Sequence, residues 1–168
     1  MLELIIVLMI AGITLSYAVP TYEHMIQLQQ MRISMEAFTT SLSLARNRAI
    51  SKNQTVVVCP SVDGQHCDDE KYELGWIVFV DANENRQREK SSESLIWTQA
   101  KLNKAFTLRA TRAYRNGIAY LPNGRLARGF SGNVTLCVNN HVELASKIIM
   151  IASGRLRYEN HSVSKCNA

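Results

Sequence analysis

Hydrophobic and polar positions divide the chain into three textures. Residues 4–19 are a continuous apolar run without charge, and Glu3 stands at its amino-terminal edge. Coiled into a helix at ~1.5 Å per residue, residues 1–19 would reach about 28 Å, close to a bilayer's hydrocarbon core. The second texture is a stripe. Leu28, Met31, Met35, Phe38, Leu42, Ala45 and Ala49 recur at alternating steps of three and four, while Gln27, Gln29, Gln30, Arg32, Ser34, Glu36 and Ser41 occupy other faces. This predicts an amphipathic helix over 25–52. The stripe shrinks to alanine and β-like sequence follows at once, which favours packing on a sheet over a coiled coil. Its methionines read as gap-filling core. Pro20, inside the helix, predicts a kink or a local loss of hydrogen bonding.

From Thr55 the texture turns β-branched. Strands are expected over 55–59, 75–80, 94–98, 106–110, 117–121, 133–138, 147–152 and 155–158. The 61–67 and 81–92 stretches are polar and turn-rich, and Pro122-Asn123-Gly124 and Asn139-Asn140 mark turns. The chain therefore reads as α+β: one long N-terminal helix packed on an antiparallel β-sheet domain. It divides into residues 1–24, a membrane and assembly half of the helix, and a head, 25–168, made of helix 25–52 and β-domain 55–168. Gly124-Arg125-Leu126-Ala127-Arg128 is echoed by Gly154-Arg155-Leu156-Arg157, too short a match to indicate duplication.

Charge adds an asymmetry that the net value of +5 conceals. Residues 1–100 carry 8 Lys and Arg against 12 Asp and Glu, whereas residues 101–168 carry 11 against 2, a balance of +9. An anionic partner for the C-terminal part follows, either nucleic acid or an acidic surface. The four cysteines, Cys59, Cys67, Cys137 and Cys166, include no Cys-x-x-Cys pair, which argues against a structural zinc site. An even number behind an exporting anchor reads as two disulfides in an oxidising compartment. Three connectivities are possible, and local pairing, Cys59–Cys67 with Cys137–Cys166, is the preferred one.

The opening run admits a signal peptide, an ordinary anchor or a stalk. A signal peptide wants a basic start and a small-residue cleavage site, whereas this run has no basic n-region and continues straight into helix-like sequence. An ordinary anchor has no use for Glu3, because a carboxylate at the buried end of a span costs about a few kcal/mol unless paired. Leu2-Glu3-Leu4-Ile5-Ile6-Val7 with Pro20 downstream resembles the amino terminus of type IV pilins and type II secretion pseudopilins. By that resemblance the sequence starts about two residues late, after a leader that a prepilin peptidase removes. Glu3 would be the glutamate that pairs with a neighbouring subunit's terminal amine. Further segments, Ala45-Arg46-Asn47-Arg48-Ala49-Ile50, Val58-Cys59-Pro60-Ser61, Gly75-Trp76-Ile77-Val78-Phe79-Val80-Asp81, Asn83-Glu84-Asn85 and Ser153-Gly154-Arg155-Leu156-Arg157, are similar to the FimT/GspH group of minor pilins. The resemblance implies a type IV pilin-like fold. It also implies an inner-membrane stage before assembly, other pilins as partners, and a head in the periplasm or outside the cell.

The sharpest candidate chemistry is Ser153-Gly154-Arg155-Leu156-Arg157. If the segment is extended, Arg155 and Arg157 share a face with Cα atoms ~6.7 Å apart, about two axial steps of one DNA strand. Guanidinium suits phosphate because its planar fork donates two parallel hydrogen bonds. The segment resembles the Gly-Arg-x-Arg motif of FimT-type pilins that bind double-stranded DNA in natural transformation. The expected DNA-binding set is Gly154, Arg155, Arg157, Lys165, Arg125 and Arg128, with Arg112, Arg115, Lys101 and Lys104 as extensions. Binding would be indifferent to sequence, since phosphate contacts carry little base information, and sparse aromatics disfavour single-strand stacking. The competing expectation is a GspH-like pseudopilin, or a purely structural tip or priming pilin, whose basic surface faces another subunit. Residues 81–86 begin like a calcium loop, but Arg86 stands where glycine belongs and Ser92 where glutamate belongs. The histidines, His24, His66, His141 and His161, are scattered, and no nucleophile elbow or phosphate-cradling loop appears. The expected protein is therefore no enzyme and carries no cofactor or metal.

Overall fold

The computed structural model describes residues 2–68, 71–139, 141–160 and 166, without the side chains of residues 2, 15, 17–21, 24, 141, 143 and 160. One helix, α1, runs over Leu2–Lys52, continuous through Pro20. Eight strands follow: β1 (Val56–Pro60), β2 (Trp76–Val80), β3 (Leu95–Gln99), β4 (Phe106–Ala110), β5 (Ile118–Tyr120), β6 (Gly132–Val138), β7 (His141–Met150) and β8 (Leu156–Asn160). They form two four-stranded sheets rather than one, in the orders β3-β2-β1-β5 and β4-β6-β7-β8, with every pairing antiparallel.

The stripe on α1 closes the core. Met35, Phe38, Leu42, Ala45 and Ala49 are buried together with Val56, Val58, Trp76 and Val78 of the first sheet. Leu108, Val134, Leu136, Ile148 and Met150 of the second sheet join the same core. Phe38 meets the rings of Tyr72 and Trp76 edge-on at 5.3 and 5.1 Å. Two polar handles in this core are satisfied. Trp76 Nε1 donates to Ser41 Oγ at 2.9 Å, and the Tyr72 hydroxyl donates to the Tyr114 carbonyl at 2.9 Å. Alanine at 45 and 49 lets the helix approach the sheets where they converge. Nearer the amino terminus the described side chains leave the core: Leu4 to Ile10 and Ile13 are exposed. Among the described residues no helix is long and apolar enough to cross a membrane.

β1 is buried on both faces, which explains its unbroken valine run. On the outer face, Val57 and Cys59 pack with Ile77, Phe79 and Ala119. The structure joins Cys59 to Cys67, fastening the 61–68 loop over that face. Cys137 is joined to Cys166, and the two pack with Ala145, which holds Cys166 against the second sheet.

Phe38→Ala removes the ring that links helix to sheet and should cost about 3–5 kcal/mol. A lowered urea midpoint of the oxidised chain measures it. An unchanged midpoint would mean that the helix does not close this core.

Candidate nucleic-acid interface

The arginines of interest are carried by two turns of identical design. In the 121–125 turn, Gly124 N–H donates to the Leu121 carbonyl at 2.8 Å and Leu121 N–H to the Arg125 carbonyl at 2.9 Å. In the 151–155 turn, Gly154 N–H donates to Ile151 at 2.7 Å and Ile151 N–H to Arg155 at 2.9 Å. Each is a three-residue hairpin loop whose last position needs a positive φ, supplied by Gly124 at +75° and Gly154 at +82°. The short echo between 124–128 and 154–157 is thus a repeated turn. In both, the residue after the glycine is an arginine, whose backbone carbonyl reopens the ladder and whose side chain is free to point outward.

The first turn leaves β5 in one sheet, and the second joins β7 to β8 in the other. They touch where the sheets meet. Leu126 N–H donates to the Ala152 carbonyl at 3.1 Å. A Cβ on Gly154 would lie 2.0 Å from the Gly124 carbonyl oxygen and 2.8 Å from Arg46 Nε, so the position has no room for a side chain. Arg46, reaching across from α1, donates Nε to the Gly124 carbonyl at 2.9 Å and Nη2 to the Ser153 carbonyl at 3.4 Å. Two turns from distant parts of the chain are therefore tied to each other and to the helix by one half-buried guanidinium.

Arg125, Arg155 and Arg157 are exposed. Among the described residues no carboxylate pairs with Arg155 or Arg157. The expected extended Arg155-Leu156-Arg157 face is modified. β8 begins only at Leu156, because the Arg155 carbonyl closes the turn. Arg155 lines a groove of about 490 Å³ between α1 and this hairpin, together with Arg46, Tyr120, Leu156 and Tyr158. Arg157 alternates with Leu156 and Tyr158 along β8, opposite Ile149. Arg128 is exposed on the loop that continues from the first turn, where its charge favours the ionised form of Tyr114 against the larger opposing effect of burial. Lys165 lies outside the described residues.

The other basic residues separate. Lys101 and Lys104 flank Asn103, whose amide donates to Gln30 Oε1 at 3.4 Å. Gln30 and Arg46 are 16 residues apart on α1, about 24 Å along its axis, so these lysines sit far from the paired turns. Arg109 is committed to an ion pair with Glu73, and Lys147 pairs with Glu159 at 3.4 Å. Arg112 is exposed on the short helical turn Arg112–Tyr114, and Arg115 is half-buried with an interaction of its own. Sequence reasoning assigned no role to Arg46. Its position beside buried Ala45, on the polar edge of the stripe, and its place in the segment 45–50 that resembles the FimT/GspH group are the signals that pointed to it.

The loop that begins like a calcium site is held by its own amides. Asp81 accepts from Arg86 N–H at 3.0 Å, Glu93 from Ala82 N–H at 3.0 Å and from Glu89 N–H at 2.9 Å. Burial pushes the Asp81 carboxyl up against the pull of that Arg86 bond, and the nearby Glu93 charge adds to the rise. Among the described residues no group of three or more His, Cys, Asp or Glu side chains is arranged to hold a metal.

Comparison with known proteins places this architecture. The family described as type II transport protein GspH matches residues 34–154. The fold is similar to that of the Pseudomonas aeruginosa PAO1 type IV minor pilin FimU, at 16% identity and TM-score 0.68, covering 82% of this chain and 96% of that one. It is also similar to the Vibrio cholerae type 2 secretion minor pseudopilin EpsH, at 14% identity and TM-score 0.53, covering 80% and 99%. No curated protein sequence matches the chain.

Gly154→Ala forces a side chain into both a positive φ and the Gly124 carbonyl. Positive φ alone costs about 1–3 kcal/mol. Gly129 has φ +71° but open space around it, so Gly129→Ala isolates the backbone cost. Gly154→Ala should lower the melting temperature clearly more than Gly129→Ala. Equal shifts would remove the close approach of the two turns.

Proposed function

The chain belongs to the GspH family of minor pilins and pseudopilins, and from that premise we propose that it is a minor pilin of a type IV pilus whose head binds double-stranded DNA without sequence preference, supporting DNA uptake in natural transformation. The observation that carries the reading is the pair of glycine-arginine turns, which set Arg125 and Arg155, with Arg157 following, on one exposed end of the head without neutralising carboxylates among the described residues. Arg128 extends this surface, and Lys165 is the remaining member of the set. Planar guanidinium forks on rigid turns fit phosphate oxygens better than flexible ammonium groups do. Released counterions supply most of the affinity, so binding weakens steeply with salt.

The same reading assigns residues 1–24 to the inner membrane before assembly and to the filament interior afterwards. A prepilin peptidase acts on the precursor, and other pilins are the lateral partners. Glu3, exposed on the isolated chain, pairs with the terminal amine of the neighbouring subunit, which offsets the cost of a carboxylate in lipid. The family description and the likeness to EpsH favour a second reading, a purely structural pseudopilin of type II secretion with its basic end against another subunit.

Titration of the full-length chain in non-ionic detergent with a labelled duplex separates the two. Arg155→Ala with Arg157→Ala should weaken binding by about ten-fold or more at low salt and reduce the log–log salt slope by roughly 0.9 for each phosphate no longer neutralised. Binding that is unchanged in the double variant leaves the structural reading. For the stalk, Glu3→Ala should insert into the membrane as the parent does but enter filaments poorly, as measured by sheared-filament content. Normal incorporation would exclude the pairing.

A further inference from the structure

Resting on the nucleic-acid reading, we infer that Arg46 of the helix is a further phosphate ligand, forming with Arg155 a phosphate seat in the groove between α1 and the 151–155 turn. Arg46 carries five N–H donors on a planar fork. Two of its nitrogens, Nε and Nη2, are held by the Gly124 and Ser153 carbonyls. Nη1 has no such tie among the described residues, so a guanidinium already fixed in position keeps donors for a ligand. Fixing it beforehand matters because a ligand then binds without the cost of ordering a long side chain.

The groove around it has the chemistry of an anion site. Its lining includes Arg46, Arg155, Ser43, Asn47 and Tyr158, and none of its described lining residues is acidic. The neighbouring groove farther down the helix differs, for it contains Glu36 beside Arg32. An independent sign comes from Tyr120, which also lines the Arg46 groove. Its side chain is fully buried and its hydroxyl has no hydrogen-bond partner among the described residues. A buried hydroxyl left unpaired is unfavourable, and such groups are normally satisfied. Arg46's charge acts on this hydroxyl and favours its ionised form, while burial opposes ionisation more strongly. Two guanidiniums without a counter-charge, polar walls and an unsatisfied hydroxyl together suit a tetrahedral phosphate oxygen group. In a duplex that group is a backbone phosphodiester, which places the helix itself at the DNA surface.

The test uses the full-length chain in non-ionic detergent with a duplex of about 30 base pairs, titrated between ~50 and ~200 mM salt. Arg46→Gln keeps a donor for the Gly124 carbonyl but removes the charge. It should weaken binding about ten-fold at low salt and lower the salt slope by about 0.9. Arg46→Lys keeps the charge and should retain the parent slope. A strut without phosphate contact predicts otherwise: Gln would keep the slope, or Lys would lose affinity as fully as Gln does. Either result overturns the seat if Arg155→Ala still lowers the slope. Absence of salt-dependent binding in the parent chain overturns the nucleic-acid reading itself, and the seat with it.

Discussion

A carbonyl oxygen lying 2.0 Å from where a Cβ would stand admits only glycine, and that contact between Gly154 and Gly124 sets how the ends of the two sheets meet. Each sheet would otherwise end in an independent hairpin, free to splay. With no side chain between them, the two turns stack backbone to backbone. Their carbonyls come within reach of one arginine from the helix, and their own arginines are carried outward together. Sheet packing, helix docking and the clustering of guanidiniums thus depend on one missing methyl group. Gly154 satisfies two demands at once, a positive φ for its turn and space for the neighbouring turn. Either demand alone would tolerate some substitution, but both together do not.

Elements whose signal is local were legible from the sequence. The stripe from Met35 to Ala49 is buried as its spacing requires, and β4 alternates buried and half-buried positions along Phe106–Ala110. The valine run of β1 reads as a buried strand because it is covered on both faces. The division of the strands into two sheets was not legible, because β5 pairs with β1 across a long stretch of intervening chain and no local pattern encodes that partner. Arg46 was illegible for the same reason. Its two acceptors lie 78 and 107 residues away, and a polar residue at the edge of a helical stripe ordinarily means only a solvated flank. The Gly-Arg echo was visible, yet its meaning as a repeated turn lies in hydrogen bonds, which sequence similarity does not report.

Charge counted along the sequence overstates the free basic surface. Of the C-terminal cations, Arg109 is neutralised by Glu73, an acid from the negatively balanced part of the chain. Lys147 is paired with Glu159 across the β7–β8 ladder. Such pairs, partly withdrawn from solvent, contribute little to a distant anion's attraction. Lys101 and Lys104 are exposed but stand near Gln30, toward the stalk. What remains concentrated is the arginine set on the paired turns and the loop after them, beside the carboxyl-terminal part of the helix at Arg46. Residue type sorts with place as well: among the described residues of this part the lysines lie apart, and the clustered cations are guanidiniums.

Placement of that set at the junction of two sheets and a helix bears on how a small head could serve a filament and a polyanion at once. In a filament of pilins or pseudopilins the exposed apolar half of the long helix would be the part available to neighbours, while its inward stripe is committed to the head's own core. Its last turns, near Arg46 and Asn47, border a groove that the head does not fill and whose described lining holds no carboxylate. A site built there draws on the helix without competing with either packing surface. Its backbone supports are carbonyls already fixed by turn hydrogen bonds, so contact with a polyanion requires no rearrangement of the sheets. On the proposed reading, phosphate capture and the mechanics of a stalk fall to separate parts of one helix, divided where core packing begins near Met35.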